Sequence, residues 1–112
     1  MKLLEPGYIG NLKIKNRIVL AAMGAHGLHE SGGDWGEQYR AYYEASAAGG
    51  VGLITTEATF VTQALEPFSK DLFNVASDKH LASMRILAET LHSYDCKLSI
   101  QDCKRNRNLT SL

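Results

Sequence analysis

The sequence predicts an α/β chain in which parallel strands are covered by helices, and three observations lead there. First, "IVLAAM" (18–23) and "VGLITTEA" (51–58) are apolar runs without alternation, the pattern of strands covered on both faces, and "KLSIQ" (97–101) reads as a third strand. Second, the stretches between them carry helical periodicity. Third, the order is hairpin, β, α, β, α, β, and alternation of this kind implies parallel strands with helices outside. At 112 residues the chain holds at most one small domain.

The elements follow in order. "IGNLKIKNRIVL" opens with Ile9, Leu12, Ile14 and Ile18 apolar between polar neighbours around Gly10-Asn11, which predicts a short hairpin. The run from Ile18 to Met23 is the first parallel strand. In "SGGDWGEQYRAYYEASAAGG", Asp34 is placed to cap a helix, with Glu37 three residues later completing a capping-box pair. Trp35, Tyr39, Tyr42 and Tyr43 fall on one face of that helix, which is read as core, and Gly49-Gly50 supply its left-handed exit. After the second strand comes a long connection containing Pro67. Ser77 or Asp78 then caps a second helix whose apolar stripe is Leu81, Met84, Leu87, Ala88 and Leu91.

Composition excludes several classes. Twelve basic and twelve acidic residues balance, so no basic stripe is available for nucleic acid. The one basic cluster, Lys104, Arg105 and Arg107, lies in the polar tail and reads as solvated. No apolar run approaches the roughly 20 residues of a membrane helix, and "MKLLEPGYIG" is no signal peptide. Cys96 and Cys103 form no disulfide framework, which sets a reduced, cytoplasmic location as the expectation. His26, His29 and Glu30 sit among glycines with no third ligand fixed, so no metal site is expected. "GGVG" (49–52) precedes a strand and is a helix stop, not a phosphate loop. No nucleophile stands beside a base, and no catalytic residue is assigned.

In parallel βα units ligands bind at the carboxyl ends of strands. That rule selects Met23 to Gly27 after strand one, Thr56 to Thr59 at the end of strand two, and Gln101 at the end of strand three. Small residues (Ala22, Gly24, Ala58) admit a flat ligand to the backbone. Met23 suits an aromatic ring, and the Gln101 amide, both donor and acceptor, suits the edge of a heterocycle. The same residues also read as ordinary core and strand-end positions.

These stretches resemble a known family. "LLEPGYIGNLKIKNRIVLAAMG" is similar to the N-terminal signature of the old yellow enzyme family of flavin-dependent NAD(P)H oxidoreductases, commonly L-F-x-P-x-x-I-G-x-L-x-L-K-N-R-[IV]-V-M-A-P-M. "YYEASAAGGVGLITTEATFV" resembles its first helix and second strand, and "KLSIQ" its third strand. The resemblance covers residues 3 to 101 in order, and is nearest to the bacterial branch that includes 2,4-dienoyl-CoA reductase and enoate reductases.

The resemblance implies the N-terminal part of a TIM (β/α)8 barrel: the hairpin as bottom plug, about three βα units, and FMN at the carboxyl face. It implies cofactor contacts at Ala22, Met23, Gly24, Ala58 and Gln101, a substrate contact at His26, NAD(P)H as reductant, and an activated alkene or enoyl compound as the parent's substrate. Ala22 stands where the family usually has Pro. Asp95-Cys96 replaces a common Gly-Ala, so Asp95 is expected at positive φ.

After Gln101 the family's L-x-H-x-G-R is missing, and residues 102–112 form an unmatched polar tail beside the barrel portion 1–101. A whole barrel takes about 200–250 residues and eight strands. The chain therefore reads as a truncated, frameshifted or incomplete fragment, expected to be inactive alone. The alternatives are an interaction or split-barrel fragment that folds only with a partner chain, self-association through open strand edges, and a stand-alone βαβ module.

Overall fold

The computed structural model describes residues 2–24, 35–60, 73–74 and 78–103. His26, the connection around Pro67, Asp34, Ser77 and the tail from Lys104 lie outside the described residues. A 3-10 turn (Lys2–Leu4) leads into strands β1 (Gly7–Ile9) and β2 (Leu12–Ile14), which pair antiparallel. Gly10 takes φ +57° as the first residue of the two-residue turn, where a side chain would be strained.

A second sheet contains β3 (Val19–Leu20), β4 (Leu53–Phe60), β5 (Phe73–Asn74) and β6 (Lys97–Cys103), with β4 at its centre and every pairing parallel. β6 runs along one edge of β4. β3 pairs with Leu53–Ile54 and β5 with Thr59–Phe60, where β6 also pairs. β5 therefore occupies the edge that β3 uses lower down. Two paired residues give no periodicity to read, and the sequence offered no sign of β5.

The amino ends of the three main strands are tied in one line. Gly52 N–H donates to the Ile18 carbonyl at 3.0 Å, and Lys97 N–H donates to the Gly52 carbonyl at 2.9 Å. Asn16, buried, fixes the entry from the hairpin: its amide donates to the Gly50 carbonyl at 2.7 Å and accepts from Ile18 N–H at 3.1 Å.

Helix α1 (Glu37–Ala48) starts later than expected. Its N-cap is Gly36, extended at φ −69° and ψ 178°, without a side-chain cap. The capping-box reading of Glu37 therefore fails, because Glu37 is the first helical residue. Trp35 explains the delay. It is fully buried, its N–H donates to Ser83 Oγ at 3.3 Å, and its carbonyl accepts from the Arg40 guanidinium at 2.9 Å.

At its other end α1 closes with a Schellman motif. Val51 N–H bonds the Ser46 carbonyl, Gly50 N–H bonds the Ala47 carbonyl, and Gly50 carries φ +108°. Helix α2 (Asp78–His92) closes the same way, with Cys96 N–H on Leu91, Asp95 N–H on His92, and Asp95 at φ 53°. The positive φ expected of Asp95 is present.

Trp35, ahead of α1, and Tyr39, Tyr43 and Ala47 of α1 pack with Ile54, Leu87, Leu91 and Cys96 into one buried cluster. Each fully buried Leu or Ile contributes about 1.5–3 kcal/mol over an exposed one. Tyr43 lies 6.1 Å from Tyr39 and 5.2 Å from Tyr42, ring centre to ring centre, the latter edge-on. The α2 stripe is rotated by one residue from its expected start. It runs through buried His80, then Met84, Leu87 and Leu91, while Leu81 is 45% exposed.

The cluster lies on one face of the β3–β4–β6 sheet. Leu20, Ile54 and Leu98 point to it, and alternation puts Val19, Thr55 and Ser99 on the other face. Val19 is 48% exposed. Leu53, which shares that face with Val19, is buried, and the strand expected over "IVLAAM" is shorter than expected: only Val19 and Leu20 of it are strand.

Candidate functional site

Between Thr55 and Ala58, β4 carries one residue more than β6. Thr55 is opposite Ser99 and Ala58 is opposite Gln101. This is a β-bulge, which reverses the side-chain alternation beyond it. Glu57 is turned toward α1 and buried. Ala58 is turned to the open face, half-buried, beside exposed Gln101.

The bulge leaves backbone groups outside the regular ladder, and side chains meet three of them. Glu57 N–H donates to the Tyr43 hydroxyl at 3.2 Å. The Glu57 carbonyl accepts from the Thr59 hydroxyl at 3.0 Å. Gln101 N–H donates to Thr56 Oγ1 at 3.4 Å. The Glu57 carboxylate accepts a short hydrogen bond from the Tyr39 hydroxyl. Thr56, Glu57, Thr59, Tyr39 and Tyr43 are all buried. Burial pushes the Tyr43 hydroxyl up to about 12, and burial together with the Glu57 bond raises Tyr39 further, so both stay protonated at neutral pH.

Ala22, Met23 and Gly24 follow β3 after Ala21, at the carboxyl end of the strand beside β4. Ala22 is half-buried; Met23, at 52% exposure, and Gly24 are open. The structure thus pairs Ala58 with Gln101 and sets the 22–24 segment at the tip of the neighbouring strand. His26 lies outside the described residues.

The arrangement suits a flat heterocycle. A small side chain leaves room above the backbone, an exposed amide offers a donor and an acceptor, and an exposed thioether offers a soft contact. Sequence reasoning did not find the Tyr39–Glu57–Tyr43 cluster. The tyrosines lie on the helix face read as core, and only the bulge, which no spacing signals, brings Glu57 to them.

A groove of about 350 Å³ between α2 and β6, lined by Met84, Arg85, His92, Leu98 and Ile100 among others, opens on the opposite face from Ala58 and Gln101. Among the described residues there is no cluster of three His, Cys, Asp or Glu able to hold a metal, and no helix long and apolar enough to cross a membrane.

Comparison with known proteins places this geometry. An NADH oxidase of Thermoanaerobacter brockii is 38% identical over 111 residues, covering 96% of this chain and 16% of that protein. An NADPH dehydrogenase of Bacillus velezensis is 36% identical over 100 residues, covering 89% of this chain and 29% of that one. The chain thus spans less than a third of the length of these relatives. The crystal structure of TcOYE with pHBA superposes with TM-score 0.78 at 25% identity, over 95% of this chain and 28% of that chain.

The structural neighbours are TIM-barrel old yellow enzymes, and the described residues form part of such a barrel. The family model for NADH:flavin oxidoreductases and NADH oxidases matches residues 2–110, and the chain belongs to that family.

Proposed function

We propose that this chain supplies one corner of the FMN site of an FMN-dependent NAD(P)H oxidoreductase of the ene-reductase type, and is inactive by itself. The pairing of Ala58 with Gln101 on the open face carries the reading. Family membership implies FMN, with NAD(P)H as reductant. When bound, FMN supplies the hydride chemistry, from NAD(P)H to flavin N5 and from N5 to the β-carbon of an electron-poor alkene.

In this reading the Gln101 amide meets the pyrimidine edge of the ring. Ala58 keeps the adjacent backbone low enough for the ring to lie against it. Ala22, Met23 and Gly24 border the ring from the β3 side, and His26 contacts the substrate. The part of these residues is orientation, and the proton that the alkene's α-carbon takes up after hydride addition comes from solvent or from other parts of a barrel.

The proposed corner leaves the phosphate to other parts of a barrel, so the chain alone is expected to bind FMN weakly. Flavin fluorescence, followed as chain is added, should change little and without saturation. Saturable 1:1 binding at micromolar concentration would refute the claim that the fragment is only a corner.

The exposure of Val19 and Met23 on the open face favours a second reading, in which the chain acts by joining a second polypeptide that completes the sheet. Light scattering distinguishes the two: this reading requires a species heavier than the 12.3 kDa monomer.

A further inference from the structure

The register of β4 against β6 is the feature on which Ala58 and Gln101 depend. Without the extra residue, alternation from Thr55 would send Glu57 to the open face and Ala58 toward α1. A carboxylate would then stand where the proposed reading needs a small neutral side chain. The bulge prevents this, and a bulge in mid-ladder has no intrinsic reason to sit at Thr56–Glu57 and not a residue earlier or later.

Its position is marked by side chains. Tyr43 accepts the Glu57 N–H, Tyr39 donates to the Glu57 carboxylate, and both tyrosines come from consecutive turns of α1. From within the strand, Thr59 donates to the Glu57 carbonyl, and Thr56 accepts the Gln101 N–H from β6. A slip of one residue would take Glu57 away from the buried Tyr39 and Tyr43 hydroxyls and break these bonds, and a buried polar group left without a partner costs more than an ordinary hydrogen bond contributes.

We infer that Tyr39 and Tyr43, acting on Glu57, are positioning residues that hold the β4 bulge in the register that sets Ala58 beside Gln101. They touch neither cofactor nor substrate. Their effect on a flavin site rests on the proposed function, while their effect on strand register does not.

The test therefore reads register with no flavin present. In the full 112-residue chain, heteronuclear NMR should show slowed amide exchange at Glu57 and Gln101 and a cross-strand contact between Ala58 and Gln101. In Tyr39→Phe/Tyr43→Phe, exchange at those two amides should rise at least about tenfold relative to Ile54 and Leu98, the Ala58–Gln101 contact weakening with it.

Glu57→Gln, which still accepts from Tyr39, should keep the register, and Glu57→Leu should lose it. If the double tyrosine variant does not fold, Tyr43→Phe alone, which removes the acceptor of the Glu57 N–H, provides the same reading at that amide. Uniform acceleration across the sheet would reduce the tyrosines to general packing and overturn the inference. So would wild-type amides at Glu57 and Gln101 that exchange as freely as in an unfolded chain. Millimolar FMN that shifts other amides but leaves the Gln101 side-chain amide unshifted would instead remove the FMN reading and leave the bulge inference standing.

Discussion

Asp95 occupies at the end of α2 the backbone position that Gly50 occupies at the end of α1. Each is the left-handed residue of a Schellman motif, at φ 53° and φ +108°, and each hands the chain to a strand. Gly adopts that conformation freely, whereas Asp pays a steric penalty there. Asp95→Gly should therefore stabilise the chain by about 0.5–1 kcal/mol, seen as a higher urea midpoint with an unchanged slope. The Asp95–Lys97 ion pair, 3.9 Å apart and largely exposed, offsets only a few tenths of this.

Gly52 has the opposite requirement: its conformation is ordinary, but its space is taken. A Cβ there would stand 2.5 Å from Asn16 Oδ1 and 3.0 Å from the Asn16 carbonyl. Asn16 cannot swing away without losing its bonds to Gly50 and Ile18. Gly52→Ala should cost about 1–3 kcal/mol in chemical denaturation. Adding Asn16→Ala should recover part of the steric cost, making the pair non-additive.

Leu91 is fully buried and its carbonyl also anchors the α2 exit. Leu91→Ala removes the side chain and leaves the carbonyl, so it should cost about 2–5 kcal/mol by loss of packing alone. Leu81→Ala, at a position 45% exposed, should cost far less, and paired thermal melts would show the contrast.

Alkaline pH should destabilise the fold through the α1 tyrosines. Tyr43 is raised in the folded chain from 10.0 to about 12, and Tyr39 is raised further. The unfolded chain loses these protons first, so the tyrosines' contribution to stability is intact below pH 10 and falls as pH rises from 10 toward 12. Tyr43→Phe should flatten that part of a stability–pH profile measured by urea denaturation, and leave the profile below pH 9 with its original shape.

Much of this was legible in the residues. The Tyr39 and Tyr43 part of the expected Trp35, Tyr39, Tyr42 and Tyr43 face, the Gly49-Gly50 exit, the strands after each helix and the left-handed Asp95 all follow from local rules, because each depends on spacing within a few residues. The start of α1 did not, because Trp35 is drawn into the core by Ser83, forty-eight residues away. Nor did the two-residue length of β3, whose pairing with β4 ends at Ile54 although β5 joins that edge only at Thr59.

The candidate site was legible as positions but not as geometry. The strand-end rule selects Ala58 and Gln101 separately. That they face each other depends on one extra residue in β4, and nothing in "LITTEATF" distinguishes a bulged strand from a regular one. Glu57 was visible only as a strand-end carboxylate, and its burial under two tyrosines depends on the same extra residue.

The line of bonds from Ile18 through Gly52 to Lys97 gives β3, β4 and β6 a common starting level. Differences in their reach must then all appear at the far end, where β3 stops at Leu20 while β4 continues to Phe60 and β6 to Cys103. Such a base works like the bed of a comb: lengthening or shortening any tooth reshapes the far rim and leaves the anchorage untouched.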